Sequence, residues 1–176
     1  RATPVLDGGL LYTLHRDGQV FAFEAEKGAV KWRKHLTDDY KAVAGMWGFS
    51  GSPLVLGDAL WFNARSAGLA LDKATGARLR ESNGGQCGYA APVLFQQDGK
   101  DRLAIFGMAD LIVIDPAGGK TLGSFPWKTE FDVNAADPVY FDGKRFITSG
   151  YEHGCALLDV SGGRPKVLWE NQNLRG

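Results

Sequence analysis

A proline led by a small or acidic residue opens four similar stretches of this chain. They read Thr3-Pro4-Val5-Leu6, Ser52-Pro53-Leu54-Val55, Ala91-Pro92-Val93-Leu94 and Asp137-Pro138-Val139-Tyr140, with proline spacings of 49, 39 and 46 residues. A turn rich in Asp and Gly follows each start: Asp7-Gly8-Gly9, Gly57-Asp58, Asp98-Gly99 and Asp142-Gly143. Next come a second short strand, another tight turn and a strongly apolar third strand. That third strand ends on an acid, at Glu24, Asp72, Asp115 and Asp159, and a glycine stands four residues beyond each, at Gly28, Gly76, Gly119 and Gly163. The pattern is a hairpin signature. The acid accepts hydrogen bonds from turn amides, and glycine supplies a backbone conformation with positive φ. These eight residues are structural turn positions. A fourth strand closes each unit, carrying Trp32 in the first and Trp169 in the last.

Four antiparallel strands in about 40–45 residues is the size of a β-propeller blade. The third strands (Val20–Phe23, Leu69–Leu71, Leu111–Ile114 and Cys155–Leu158) are apolar on both faces. A free-standing sheet alternates, whereas a blade sandwiched between neighbours buries both sides. A β-sandwich also has many short strands, but they would not repeat one acid-to-glycine register. The expectation is therefore an all-β propeller segment spanning 1–176, with blades at roughly 1–36, 50–81, 90–125 and 136–171.

Composition narrows the partners. Lys+Arg and Asp+Glu both number 20, so the net charge is zero and the basic excess usual for nucleic-acid binding is missing. No apolar run approaches the roughly 18 residues that span a bilayer. The chain opens on Arg1 rather than Met, and a processed chain or fragment is expected. The two cysteines, Cys87 and Cys155, are too few for a disulfide scaffold and are expected to be free buried thiols, one bridge being the alternative.

The repeated segment Ala70-Leu71-Asp72-Lys73-Ala74-Thr75-Gly76, and its counterpart Glu24–Gly28 with Val30-Lys31-Trp32, resemble the PQQ-like (pyrroloquinoline-quinone-type) propeller repeat. The resemblance covers the whole chain. Members include quinoprotein alcohol dehydrogenases, a scaffold lipoprotein of outer-membrane protein assembly, and exported bacterial proteins of unknown role; the chain looks most like the last group. The resemblance implies a periplasmic or cell-surface location. It also implies a ring of seven or eight blades, completed by further blades of the same chain or by a second copy. Departures are Glu24 in place of Asp, Arg80 and Gly123 where the outer Trp is expected, and no adjacent Cys-Cys pair of the kind beside the quinone.

In such blades the fourth-to-first crossings and the second-to-third turns emerge on one rim, the top. The crossings at 37–52, 82–91 and 126–137 are long and aromatic, and long loops on a rigid scaffold commonly carry function. They and the turns place Trp47, Arg65, Tyr89, Trp127, Lys128, Asp132, Asn134, Tyr151 and His153 as ligand-binding candidates. Such groups suit a small planar or polyanionic ligand, or a peptide loop of a protein partner. Asp38 is read as capping a helical turn over 40–46. Catalytic signatures are missing. Gly119-Lys120-Thr121 lacks the upstream glycine of a phosphate loop. The three histidines have no metal-ligand spacing, and there is no nucleophile elbow. The reading is a non-enzymatic binding or scaffold propeller with no cofactor. The alternatives are a quinone- and calcium-dependent alcohol dehydrogenase, with Asp132 and Asn134 as candidate calcium ligands or base, and a sensor or adhesion domain of a larger surface protein.

Overall fold

The computed structural model describes residues 2–83, 85–161 and 165–173. It consists of four four-stranded antiparallel sheets, each a meander in chain order. The first is β1 (Val5–Asp7), β2 (Leu10–Leu14), β3 (Gln19–Glu24) and β4 (Val30–His35). The second is β5 (Leu54–Leu56), β6 (Ala59–Phe62), β7 (Leu69–Asp72) and β8 (Arg78–Glu81). The third is β9 (Val93–Gln97), β10 (Lys100–Phe106), β11 (Asp110–Asp115) and β12 (Lys120–Pro126). The fourth is β13 (Val139–Phe141), β14 (Lys144–Ser149), β15 (Gly154–Asp159) and β16 (Lys166–Asn171). The chain is an all-β protein of propeller blades. Two compact units, Arg1–Cys87 and Gly88–Gly176, hold two blades each.

The repeated turn is built as its residue types dictate. The amides of Gly28, Gly76 and Gly119 donate to the carbonyls of Glu24, Asp72 and Asp115, and the three glycines have φ of 67°, 72° and 70°. Asp72 Oδ1 accepts from the amides of Ala74 and Thr75 and from the Thr75 hydroxyl; Asp115 accepts from Ala117, and Asp159 from Ser161. The Thr75 hydroxyl, foremost, holds the Asp72 carboxyl below the usual carboxylate range, and Ser161 does the same for Asp159. Gly163 lies outside the described residues.

Beside each turn the fourth strand slips by one residue. The register shifts fall at Ala22/Phe23, Ala70/Leu71, Val113/Ile114 and Leu157/Leu158, so Lys31, Leu79, Leu122 and Leu168 are the extra residues of four equivalent bulges. Trp32, Arg80, Gly123 and Trp169 then occupy one equivalent position, opposite Ala22, Ala70, Val113 and Leu157.

Within the first unit, Tyr12, Leu14, Val20, Ala22 and Trp32 form one face of the first blade and pack against Leu60, Phe62, Leu69 and Leu71 of the second. The Trp32 indole donates to the Lys73 carbonyl at 3.0 Å, and the Tyr12 hydroxyl shares that acceptor. In the second unit, Phe95, Ala104, Phe106, Leu111 and Val113 of the third blade meet Ile147, Ala156 and Leu158 of the fourth. The residues before the repeat prolines join neighbouring blades. The Thr3 amide donates to Ser52 Oγ, and the Ala91 amide to Asp137 Oδ1.

One expectation needs correcting. The short helix α1 spans Leu36–Tyr40, earlier than the 40–46 segment, and its cap is His35, whose Nδ1 accepts from the Asp38 amide. Asp38 lies in the first turn because the chain bends directly off β4. Lys41, with φ of 56°, ends the helix. Cys87 and Cys155 are free and buried. Among the described residues no helix is long and apolar enough to cross a membrane.

Candidate functional site

The candidate residues separate into two groups, those closed into the scaffold and those left on a rim. In the first unit, Arg65 is a clamp. Its Nε donates to the Ser82 carbonyl at 2.8 Å, its Nη1 to the Tyr40 carbonyl at 2.7 Å, and Glu81 lies 3.6 Å away. Trp47 lies on the first crossing and is exposed; with Leu14, His15, Arg16, Phe49 and Ser50 it borders a hollow of about 430 Å³. Gly48, with φ of 82°, lets that crossing press onto the preceding turn, since a Cβ there would lie 2.5 Å from the Arg16 carbonyl oxygen.

In the second unit, Asn134 sits at the centre of a buried network. Its Nδ2 serves the carbonyls of Gly107, Met108 and Trp127 at 2.9, 3.0 and 3.1 Å. Its Oδ1 accepts from the Ser149 hydroxyl at 2.6 Å, and Ser149 accepts from the Trp127 indole at 3.0 Å. The network pins the third crossing to the turn of its own blade and to β14 of the next. Trp127 is further covered by Phe125 and by the edge of His153, at 6.3 and 4.4 Å between ring centres. Tyr89 is buried, and its amide donates to the Asn134 carbonyl.

Around this rigid centre lies a half-open cleft of about 580 Å³. Its lining includes Trp127, Lys128, Glu130, Tyr151, Glu152 and His153, together with Cys155 and the end of β16 (Glu170, Asn171). Lys128 is exposed, and Asp132 is half-buried with φ of 54°. Tyr151 and Glu152 are both left-handed, with φ of 56° and 59°, and the His153 amide closes the turn onto the Gly150 carbonyl. Two positive-φ residues in a tight hairpin turn normally call for Asn or Gly; a tyrosine there is strained. Its ring meets Phe131 edge-on at 4.8 Å, and the two are 48% and 59% exposed. Sequence reasoning missed Phe131, which carries no motif and stands only in an aromatic crossing.

A family model described as outer membrane protein assembly factor BamB matches residues 1–175. The chain belongs to this family of PQQ-like propellers. No curated protein matches it. Among solved structures, BamB from Moraxella catarrhalis aligns with a TM-score of 0.68 at 15% identity, covering 98% of this chain and 48% of that one. Quinohemoprotein alcohol dehydrogenase from Comamonas testosteroni aligns with a TM-score of 0.69 at 19% identity, covering 99% and 35%. The computationally designed Ika8 protein gives 0.63 at 13%, covering 98% and 49%. This family member thus spans about half the length of two of these proteins and about a third of the dehydrogenase. At these identities the likeness establishes the fold.

The two calcium ligands the sequence offers are not free to act together. Asn134 is fully enclosed and bonded to the scaffold, so Asp132 loses its intended co-ligand. Of the two tryptophans on which a planar ring could stack, Trp127 is covered, whereas Trp47 is exposed beside its own hollow. Among the described residues no group of three His, Cys, Asp or Glu side chains is placed to hold a metal.

Proposed function

We propose that this propeller is a binding or scaffold protein whose top rim, in the second unit, takes a segment of a protein partner. The observation that carries this reading is the exposed Phe131–Tyr151 pair, with Tyr151 held in a strained turn and the crossing that carries Phe131 tied down through Asn134. Large aromatic side chains with few rotatable bonds bind at low entropic cost, and strain retained at an exposed turn is a mark of function rather than packing. Glu130, Glu152, Glu170 and Lys128 give the cleft a polar border. Trp127, Asn134 and Ser149 act as the support beneath it. The family description, with its outer-membrane assembly factor, supports a periplasmic or cell-surface location and a protein partner.

The test is selection from a displayed peptide library against the wild-type protein, with counter-screening on Phe131→Ala. The reading expects enriched peptides whose binding weakens at least tenfold in Phe131→Ala. Peptides that bind both proteins equally, or no enrichment at all, would contradict it.

A further inference from the structure

The blade junction inside each unit follows one register, but the two junctions handle charge in opposite ways. In the first unit, Asp7 at the end of β1 meets Lys73, one residue past Asp72, at 2.9 Å, so the cation of that junction has its carboxylate. Register gives each of these residues a counterpart in the second unit. Phe95 stands at the place of Asp7, opposite Arg102 as Asp7 is opposite Leu10. Val160 stands at the place of Lys73, and its amide donates to the Gly143 carbonyl as that of Lys73 does to Asp58. Ala104 and Gly123 replace the aromatic pair Tyr12 and Trp32. The cation reappears at another position. Arg145 occupies the place that Leu11, Leu60 and Leu103 hold in the other three blades. It is fully buried, with its guanidinium 4.0 Å over the Phe95 ring and 5.8 Å from that of Tyr140.

A ring face balances part of a positive charge and leaves the N–H edge unsatisfied. The Nε, Nη1 and Nη2 atoms of Arg145 are enclosed and have no acceptor among the described residues. Donors left in that condition cost far more than the leucine of the other blades. We propose that the junction of the third and fourth blades binds a small carboxylate anion on the Arg145 guanidinium. The fork of N–H donors matches the two oxygens of a carboxylate, and a guanidinium lying over a ring keeps that edge available. Enclosure restricts the anion to the size of formate or acetate. The anion does for Arg145 what Asp7 does for Lys73: it completes the ion pair and fastens one blade to the next.

The test is thermal unfolding of the 176-residue chain in a zwitterionic buffer titrated with sodium formate. Arg145→Leu, which restores the residue of the other blades, is measured alongside. The wild-type midpoint should rise by about 2–4 °C and level off, with no saturable rise in the variant. Without formate the variant should melt higher, and formate should narrow the gap. Equilibrium dialysis with radiolabelled formate should find one saturable site per chain in the wild type and none in Arg145→Leu. A wild-type midpoint indifferent to formate, or a rise of equal size in both proteins, overturns the proposal. So does dialysis that finds no stoichiometric uptake by the wild type, or equal uptake by the variant.

Discussion

Three side chains carry most of the account at the level of single residues. Asp72 is held in its charged form by the Thr75 hydroxyl and turn amides, so its folded pKa lies below its unfolded one. Its contribution to stability is therefore present above the unfolded value, near pH 4, and is lost as pH falls through the folded value. Urea midpoints of wild type and Asp72→Ala should differ at neutral pH and converge in acid; a gap that persists at low pH would assign Asp72 no charge-dependent role. Arg145 is the second. It is fully buried, stacked 4.0 Å above the Phe95 ring, and its guanidinium nitrogens have no hydrogen-bond acceptor among the described residues. Burial pulls its pKa down to about 10. A buried cation held only by the rings of Phe95 and Tyr140 costs stability relative to an apolar side chain of similar size, so Arg145→Met should raise the unfolding free energy by about 1 kcal/mol or more. A fall in melting temperature would show an unrecognised partner. Tyr151 is the third, strained and exposed where packing alone would favour glycine.

The bulge and the hairpin beside it are the working parts at the level of elements. The acid-to-glycine spacing was legible in the sequence, and the turns form as the residue types require. The bulge was not legible, because an extra residue opposite the third strand leaves no composition signal. Yet it explains why Trp32, Arg80, Gly123 and Trp169 are equivalent. The residue before each proline was recognised as small or acidic, but its reason is structural: Ser52 and Asp137 accept hydrogen bonds from the preceding blade. The rim was harder to read. Asn134 and Arg65 have the polar groups a ligand site needs, and only three-dimensional placement shows those groups bonded to main-chain carbonyls. Gly76 and Gly28 share a conformation but not surroundings. Gly76→Ala meets left-handed strain and the Trp32 ring, whereas Gly28→Ala meets strain alone. Chemical denaturation should show a cost of about 1 kcal/mol for Gly28→Ala and a clearly larger one for Gly76→Ala. Equal costs would mean that Trp32 does not bear on that turn.

At the scale of the molecule, the repeat determines propeller blades that are joined within each unit by buried apolar faces, with an indole-to-carbonyl bond added in the first, and the proposed recognition surface lies on the loops of the second. That division assigns stability to the hairpins and binding to the rim. Tyr151→Gly separates the two. Relief of the left-handed strain offsets glycine's entropy and the lost contact with Phe131, so stability should stay within about 1 kcal/mol of wild type. Thermal unfolding and affinity for a selected peptide, measured on the same Tyr151→Gly sample, put the central claim to its most direct test. The account predicts near-normal unfolding with binding reduced at least tenfold. Intact binding, or a loss of stability well beyond that margin, would contradict it and make Tyr151 a packing residue.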